Sequence, residues 1–212
     1  MPTRTGRPPR ISKAEIVAAA TRVIEEDGLP GLTMRRLARE VGSTAMAIYH
    51  HVRDKEELLL LLLDDYAAGF PRPELPAEPR ERMVAAALAM REAVAGCPWA
   101  VDVLRADDLL SVSALWYPEQ IIDAAMRAGL GVEDAVDAYR VIWHYTAGEI
   151  AAGAAARRRR EEGGSTYRER VFAELDGAEY PRLGEIGGRW EELTGRDTYA
   201  KGVRALVTGL LP

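Results

Sequence analysis

The sequence is short of several things, and each shortage removes a class of protein. Its 212 residues hold one cysteine, Cys97, which excludes an internal disulfide framework and a cysteine-rich zinc site. Three histidines leave little for a histidine-based metal cluster, so no metal and no cofactor is expected. Long apolar runs are missing too. The longest unbroken aliphatic stretch, Leu58 to Leu63, falls far short of the roughly 20 residues a membrane span requires. The N-terminus is basic and proline-rich with no apolar segment behind it, which does not suit a secretory signal. The expected location is cytoplasmic, with no membrane partner. Also absent are a glycine-rich phosphate loop, a His-Glu-x-x-His pair and a nucleophile elbow, and Cys97 has no evident histidine partner. Catalysis is not expected.

What is present is apolar material for a sizeable core, 48% of the residues, and an uneven charge distribution. Residues 1–55 hold ten Lys or Arg against six Asp or Glu, a balance of +4, whereas the remainder hold 18 against 27, a balance of −9. A basic head on an acidic body suits a head that meets a polyanion.

Ala, Leu, Glu and Arg recur at three- and four-residue spacing, with no sustained two-residue alternation, so the fold class is all-α. Ser12 and Glu15 form a capping box that opens a helix from Lys13 to about Asp27, stopped by Gly28. Thr33 caps a short second helix ended by Gly42, and a third runs from Thr44 to about His50. Asp54 and Glu57 repeat the capping-box pattern and open a helix to about Ala68. Gly69 to Pro79, with four prolines, marks a break or hinge. Further helical patterns cover Arg80 to Ala95, Trp99 to Leu110, Pro118 to Ala128, Val132 to Arg158, Tyr167 to Leu175 and Arg196 to Leu210. The run Arg157 to Arg160 reads as a solvated helix end whose cations complement the helix dipole, in preference to a second DNA contact. The expected division is a basic N-terminal arm over 1–11, a helical head over 12–58 and a helical body over 59–212.

Two short helices separated by Gly42 and Ser43, braced by a longer one, suit a helix-turn-helix, in which the second helix enters the major groove. The competing reading from spacing alone is a small helical hairpin. Leu37, Ala38, Val41, Ile48 and Val52 supply the small core, leaving Arg35, Arg36, Arg39, Thr44, Ala45, Ala47 and Tyr49 outward to meet phosphates and base edges.

The stretch Gly31-Leu32-Thr33-Met34-Arg35-Arg36-Leu37-Ala38-Arg39-Glu40-Val41-Gly42, with Ala47-Ile48-Tyr49-His50-His51-Val52-Arg53-Asp54-Lys55-Glu56-Glu57-Leu58, resembles the DNA-binding domain of tetracycline-repressor (TetR) family regulators over about Ile11 to Leu63. The resemblance implies phosphate contacts from Tyr49 and Lys55, base contacts from Thr44, Ala45, Met46 and Ala47, and guanine recognition by Arg35. Thr33 joins this set at the start of the second helix, and His51 is placed ahead of His50 as a phosphate contact. Because Ala45, Met46 and Ala47 are small or apolar, the third helix offers thymine-methyl contacts but few hydrogen bonds. Upstream, Gly6-Arg7-Pro8 resembles a minor-groove arm, giving Arg7 and Arg10 a DNA role, with a plain basic tail as the alternative.

From Ala128 to Gly148 the body resembles, more weakly, the ligand-binding and dimerisation domain of the tetracycline-repressor branch, which implies a homodimer paired through the helix from Val132 and the last helix. The branch's namesake binds magnesium-tetracycline through a histidine and a glutamate. Here the glutamate position falls on Ala152 and the histidine has no counterpart, so metal-dependent sensing is not expected. The candidate effector-contacting residues are Trp99, Asp102, Val103, Trp116, Trp143 and His144, since aromatic walls with a few polar groups suit a planar organic ligand. For His144 a hydrogen-bonded interior position is the favoured alternative. The resulting expectation is a ligand-responsive DNA-binding regulator, a repressor released from a palindromic double-stranded operator by a small hydrophobic or aromatic effector. The alternative is a non-specific or architectural DNA-binding protein.

Overall fold

The computed structural model describes residues 11–106, 109–163 and 167–212. The arm residues Arg7 and Arg10 lie outside them. The described residues form helices and turns with no strand. The chain separates into two compact units that interleave in sequence: residues up to Leu75 with Ala89–Ile121, and Pro76–Leu88 with Ile122–Pro212. One crossing point, Leu75–Pro76, lies inside the proline-rich break.

The first unit begins with α1 (Lys13–Gly31). Its capping box is complete: the Glu15 amide donates to Ser12 Oγ at 3.2 Å, and the Ser12 amide donates to Glu15 Oε2 at 2.7 Å. Ile16, Ala19, Ala20 and Val23 form its buried stripe. At Gly28 the backbone turns to φ 70°, ψ 174°, open to glycine and strained for other residues, and the regular helix breaks there. Leu29–Gly31 add one further turn. α2 (Met34–Glu40) is capped by Thr33, whose Oγ1 accepts from the Arg36 amide at 3.1 Å. Gly42, at φ +63°, turns the chain into α3 (Ala45–Tyr49), capped by Thr44, which accepts from the Ala47 amide at 3.2 Å. α4 (Lys55–Ala68) starts at Asp54, which accepts from the Glu57 amide at 2.8 Å.

Here the expected box is only half made. The Glu57 carboxylate does not return to Asp54 but accepts from the Arg53 amide at 2.7 Å and from Arg53 Nε at 3.1 Å. Arg53 supplies a charged donor as well as an amide, and it outcompetes the cap residue.

Leu32, Leu37, Ile48, Val52, Leu58 and Leu62 close the core of this head, joined by Cys97, Ala100 and Val103. Val41, expected inside, is half-buried. α5 (Pro79–Ala95) passes from the second unit into the first, followed by α6 (Pro98–Ala106), a single 3-10 turn at Val112–Ala114, and α7 (Trp116–Arg127). α6 therefore stops short of the expected Leu110. Leu109 and Leu110 are not helical, and Ser111 is buried with its hydroxyl donated to Asp64 at 2.7 Å. Side-chain anchoring to α4 takes the place of helix propagation.

In the second unit, α8 (Val132–Glu162) packs on α12 (Tyr199–Leu210). Tyr199 is fully buried, and its hydroxyl lies 2.7 Å from Thr146 Oγ1 and donates to the Ala87 carbonyl at 3.1 Å. The Tyr145 ring stacks on that of Tyr199 at 5.3 Å, and a β-carbon at Gly202 would collide with the Tyr145 hydroxyl. Only glycine allows that approach. α12 starts three residues later than the expected Arg196, because Asp197 turns back to accept from the Tyr199 amide at 3.0 Å. Between them stand α9 (Tyr167–Ala173), α10 (Pro181–Ile186) and α11 (Trp190–Thr194); the last two are too short to show a helical period in sequence. Trp190 stacks on Phe172 with ring centroids 4.2 Å apart. The arginines of the 157–160 run are exposed, with Arg159 and Arg160 in the last turn of α8. Among the described residues no single helix is long and apolar enough to cross a membrane.

Candidate nucleic-acid interface

The head sorts its cations into two groups. Arg36 is not free to meet DNA as the sequence suggested: its guanidinium donates to Glu40 at 2.6 Å, to Glu26 at 3.1 Å and to Asp27 at 3.2 Å. Glu40 also pairs with Arg22 at 3.5 Å. The Arg36 hydrogen bond holds the Glu40 carboxyl below the usual carboxylate range, and Glu40 in turn raises Arg36 above the usual range of its guanidinium. This cluster ties α2 to the end of α1. Lys13 and Arg53 are committed likewise, both to Glu57.

Arg35, Arg39 and Lys55 are exposed and form no ion pair with another described residue. Arg35 and Arg39 stand four residues apart on α2 and so share one face. Tyr49 is 46% exposed at the end of α3, and Met46 is 69% exposed within it. Thr33 and Thr44 are exposed at their caps, Ala47 is half-buried, and Ala45 packs against the core. His50 is exposed while His51 is half-buried, the reverse of the order expected for a phosphate contact.

The effector candidates fall in both units. In the first, Val103 is buried in the core of the head, Asp102 is exposed, and Trp99 is half-buried against that core. Trp116, also half-buried, meets Tyr117 edge-to-face at 5.0 Å. The array continues through Tyr117 to Phe70 at 6.0 Å and from Phe70 to Tyr66 at 5.0 Å. Tyr117 donates to the Pro71 carbonyl at 2.6 Å. Nearby, burial pushes the Cys97 thiol up to about 11, so it stays protonated and unreactive. Tyr66, Phe70 and Tyr117 were not singled out from sequence, since the contact that joins Tyr66 and Phe70 to Trp116 and Tyr117 is tertiary. In the second unit Trp143 is half-buried, and His144 is exposed instead of interior because it projects from the solvent side of α8, between buried Ile142 and Thr146. Among the described residues no group of His, Cys, Asp or Glu is placed to hold a metal ion.

Two family models account for most of the chain: one for bacterial regulatory proteins of the tetR family matches residues 16–62, and one for the tetracyclin repressor-like C-terminal domain matches residues 72–211. The chain belongs to the TetR family. It is a DNA-binding transcriptional regulator, not an enzyme. Among its relatives is an HTH-type transcriptional regulator of Saccharopolyspora erythraea, 29% identical over 211 residues, covering 95% of this chain and 85% of that protein. The transcriptional repressor DrrR1 of Streptomyces coeruleorubidus is 32% identical over 153 residues, 68% of this chain and 54% of its own length. The fold matches the Streptomyces coelicolor protein ActR, solved in complex with actinorhodin, with a TM-score of 0.77 at 22% identity over 96% of each chain.

Proposed function

We propose that this regulator is a homodimeric repressor that holds a palindromic operator and is released from it by a small hydrophobic or aromatic effector. The observation that carries the reading is the sorting of the head. α3 is capped by Thr44 and anchored by buried Ile48, which leaves Met46 and Tyr49 outward, while Arg35, Arg39 and Lys55 remain uncommitted beside it. Thr44, Met46, Ala47 and Arg35 would face bases. Tyr49, Lys55, Arg39 and His50 would meet phosphates, as would the arm residues Arg7 and Arg10.

Dimerisation is supported by α8, where Val132, Val136, Tyr139 and Trp143 recur at four- and three-residue spacing as an exposed or half-buried apolar stripe. A two-fold operator needs two such heads, about 34 Å apart. For the effector, the half-buried rings of Tyr66, Phe70 and Trp116, packed on buried Tyr117, supply the aromatic surface that a planar organic molecule favours, and ActR, of the same fold, holds actinorhodin. Release follows if the effector shifts α4 and with it the spacing of the two recognition helices. By linkage, operator then weakens effector binding by the same factor.

The test is fluorescence anisotropy on the intergenic DNA beside the regulator's own gene, against a scrambled duplex at two salt concentrations. A panel of planar aromatic compounds is then added. Preference for the native duplex, lost on adding a compound that saturates the protein, is the expected result. Equal and steeply salt-dependent binding to both duplexes would overturn it in favour of a non-specific binder.

A further inference from the structure

α3 presents two large exposed side chains: Met46, which is apolar throughout, and Tyr49, which ends in a hydroxyl. Of the five residues of α3, Ile48 is fully buried, Ala45 packs on the core, and Ala47 is half-buried. Thr44 accepts from the Ala47 amide at the cap and keeps its short hydroxyl to donate. The neighbouring Arg36 is committed to three carboxylates. Met46, 69% exposed against 46% for Tyr49, is the most exposed side chain of α3, and it plays no part in the head's core.

The major-groove edges of guanine, adenine and cytosine carry hydrogen-bonding groups that a thioether does not satisfy, whereas thymine adds an apolar C5-methyl group. We propose that Met46 reads a thymine methyl in each operator half-site and is a specificity-determining residue. The inference rests on the reading of α3 as the recognition helix. Methionine suits the role because its unbranched, polarisable chain adapts its path to a single methyl group.

The experiment begins by selecting duplexes from a random library with the full-length protein. Each thymine of the enriched sequence is then replaced in turn by deoxyuridine, which removes the methyl and keeps every hydrogen-bonding group. The native protein, Met46→Leu and Met46→Ala are titrated on each duplex. One symmetry-related pair of replacements is expected to weaken the native protein by about fourfold per half-site, the worth of one methyl-sized group taken out of water. Met46→Leu should retain that discrimination, and Met46→Ala should bind both duplexes equally. Because Met46 is outside the core, the alanine variant should melt with the native protein, which separates reading from folding. Indifference of the native protein to every replacement, or an equal loss in Met46→Ala, overturns the proposal. If the library yields no enriched sequence, the assignment of α3 fails first and the proposal falls with it.

Discussion

Helix starts in the head are set by neighbours in the chain, whereas the second unit is fixed by contacts between distant residues. Ser12 bonds to the amide of Glu15, Thr33 to that of Arg36, Thr44 to that of Ala47 and Asp54 to that of Glu57, each three residues on. In the second unit α8, α10, α11 and α12 begin without a side-chain cap bond from the N-cap residue. Alongside the local bond of Asp197 to the Tyr199 amide, its long-range polar contacts join Tyr199 to Thr146 and Ala87, and Arg80 to the carbonyls of Val207 and Pro212. Local grammar makes the head a self-specifying reader whose exposed residues are open to change. The second unit distributes its specification, so a single buried position there carries more of the stability.

The largest expected effect tests that contrast. Tyr199→Ala removes a fully buried ring with two polar contacts and should lower stability to urea by about 3–5 kcal/mol. Tyr199→Phe keeps the ring and deletes the hydroxyl shared by Thr146 and Ala87, for about 1–2 kcal/mol. A phenylalanine variant as stable as the native chain would break the comparison. Next come changes at the reading face, expected to alter DNA binding with little loss of stability. Arg35→Ala should cost about 1–3 kcal/mol of discrimination at one base pair, and Lys55→Ala should weaken all duplexes alike and lower the salt slope by about one. Anisotropy titrations across salt and across single-base operator variants check both. A smaller effect is set for Asp54→Ala, about 1 kcal/mol through loss of the α4 cap. Glu57→Gln should leave that cap bond in place, since the carboxylate serves Arg53 instead. Thermal melting of the pair separates the two roles.

The same contrast explains what was legible in the sequence. Caps at Ser12, Thr33, Thr44 and Asp54, the glycine stops at Gly28 and Gly42, and the inward positions Leu37 and Ile48 depend on spacings of a few residues, which a reader of the chain sees directly. The commitment of Arg36 was harder, because the acidic Glu26 and Asp27 lie ten and nine residues back across the turn at Gly28. Glu40, four residues on, was the visible half of that signal. The ring array of Tyr66, Phe70 and Tyr117, and the Asp64 bond to Ser111 that replaces the end of α6, join segments more than 40 residues apart. No local pattern reports such pairs. Nor does periodicity reveal that Ala89–Ile121 packs with the head, since α5 and α7 run continuously through both units.

The smallest effect concerns acid. Glu15, Glu40 and Glu57 are all held below the ordinary glutamate value of 4.5: Glu15 by the Ser12 amide, Glu40 by the Arg36 guanidinium, and Glu57 by the Arg53 amide and then its guanidinium. A carboxylate with a depressed folded-state value binds its proton more readily in the unfolded chain. Its contribution is therefore complete above 4.5 and is lost as the pH falls through the lower, folded value. The melting temperature of the head should accordingly be flat from pH 7 to about 5 and should fall below that. Glu40→Gln should start lower at neutral pH and fall less steeply in acid, because one of the three groups no longer titrates. Arg36→Ala should likewise start lower and fall less steeply, because Glu40 loses the guanidinium that lowers it most and keeps only Arg22. If Arg36→Ala lost the same stability at pH 4 as at pH 7, the cluster would be packing surface rather than a charge node. The head's local grammar would then extend to its ion pairs only in appearance.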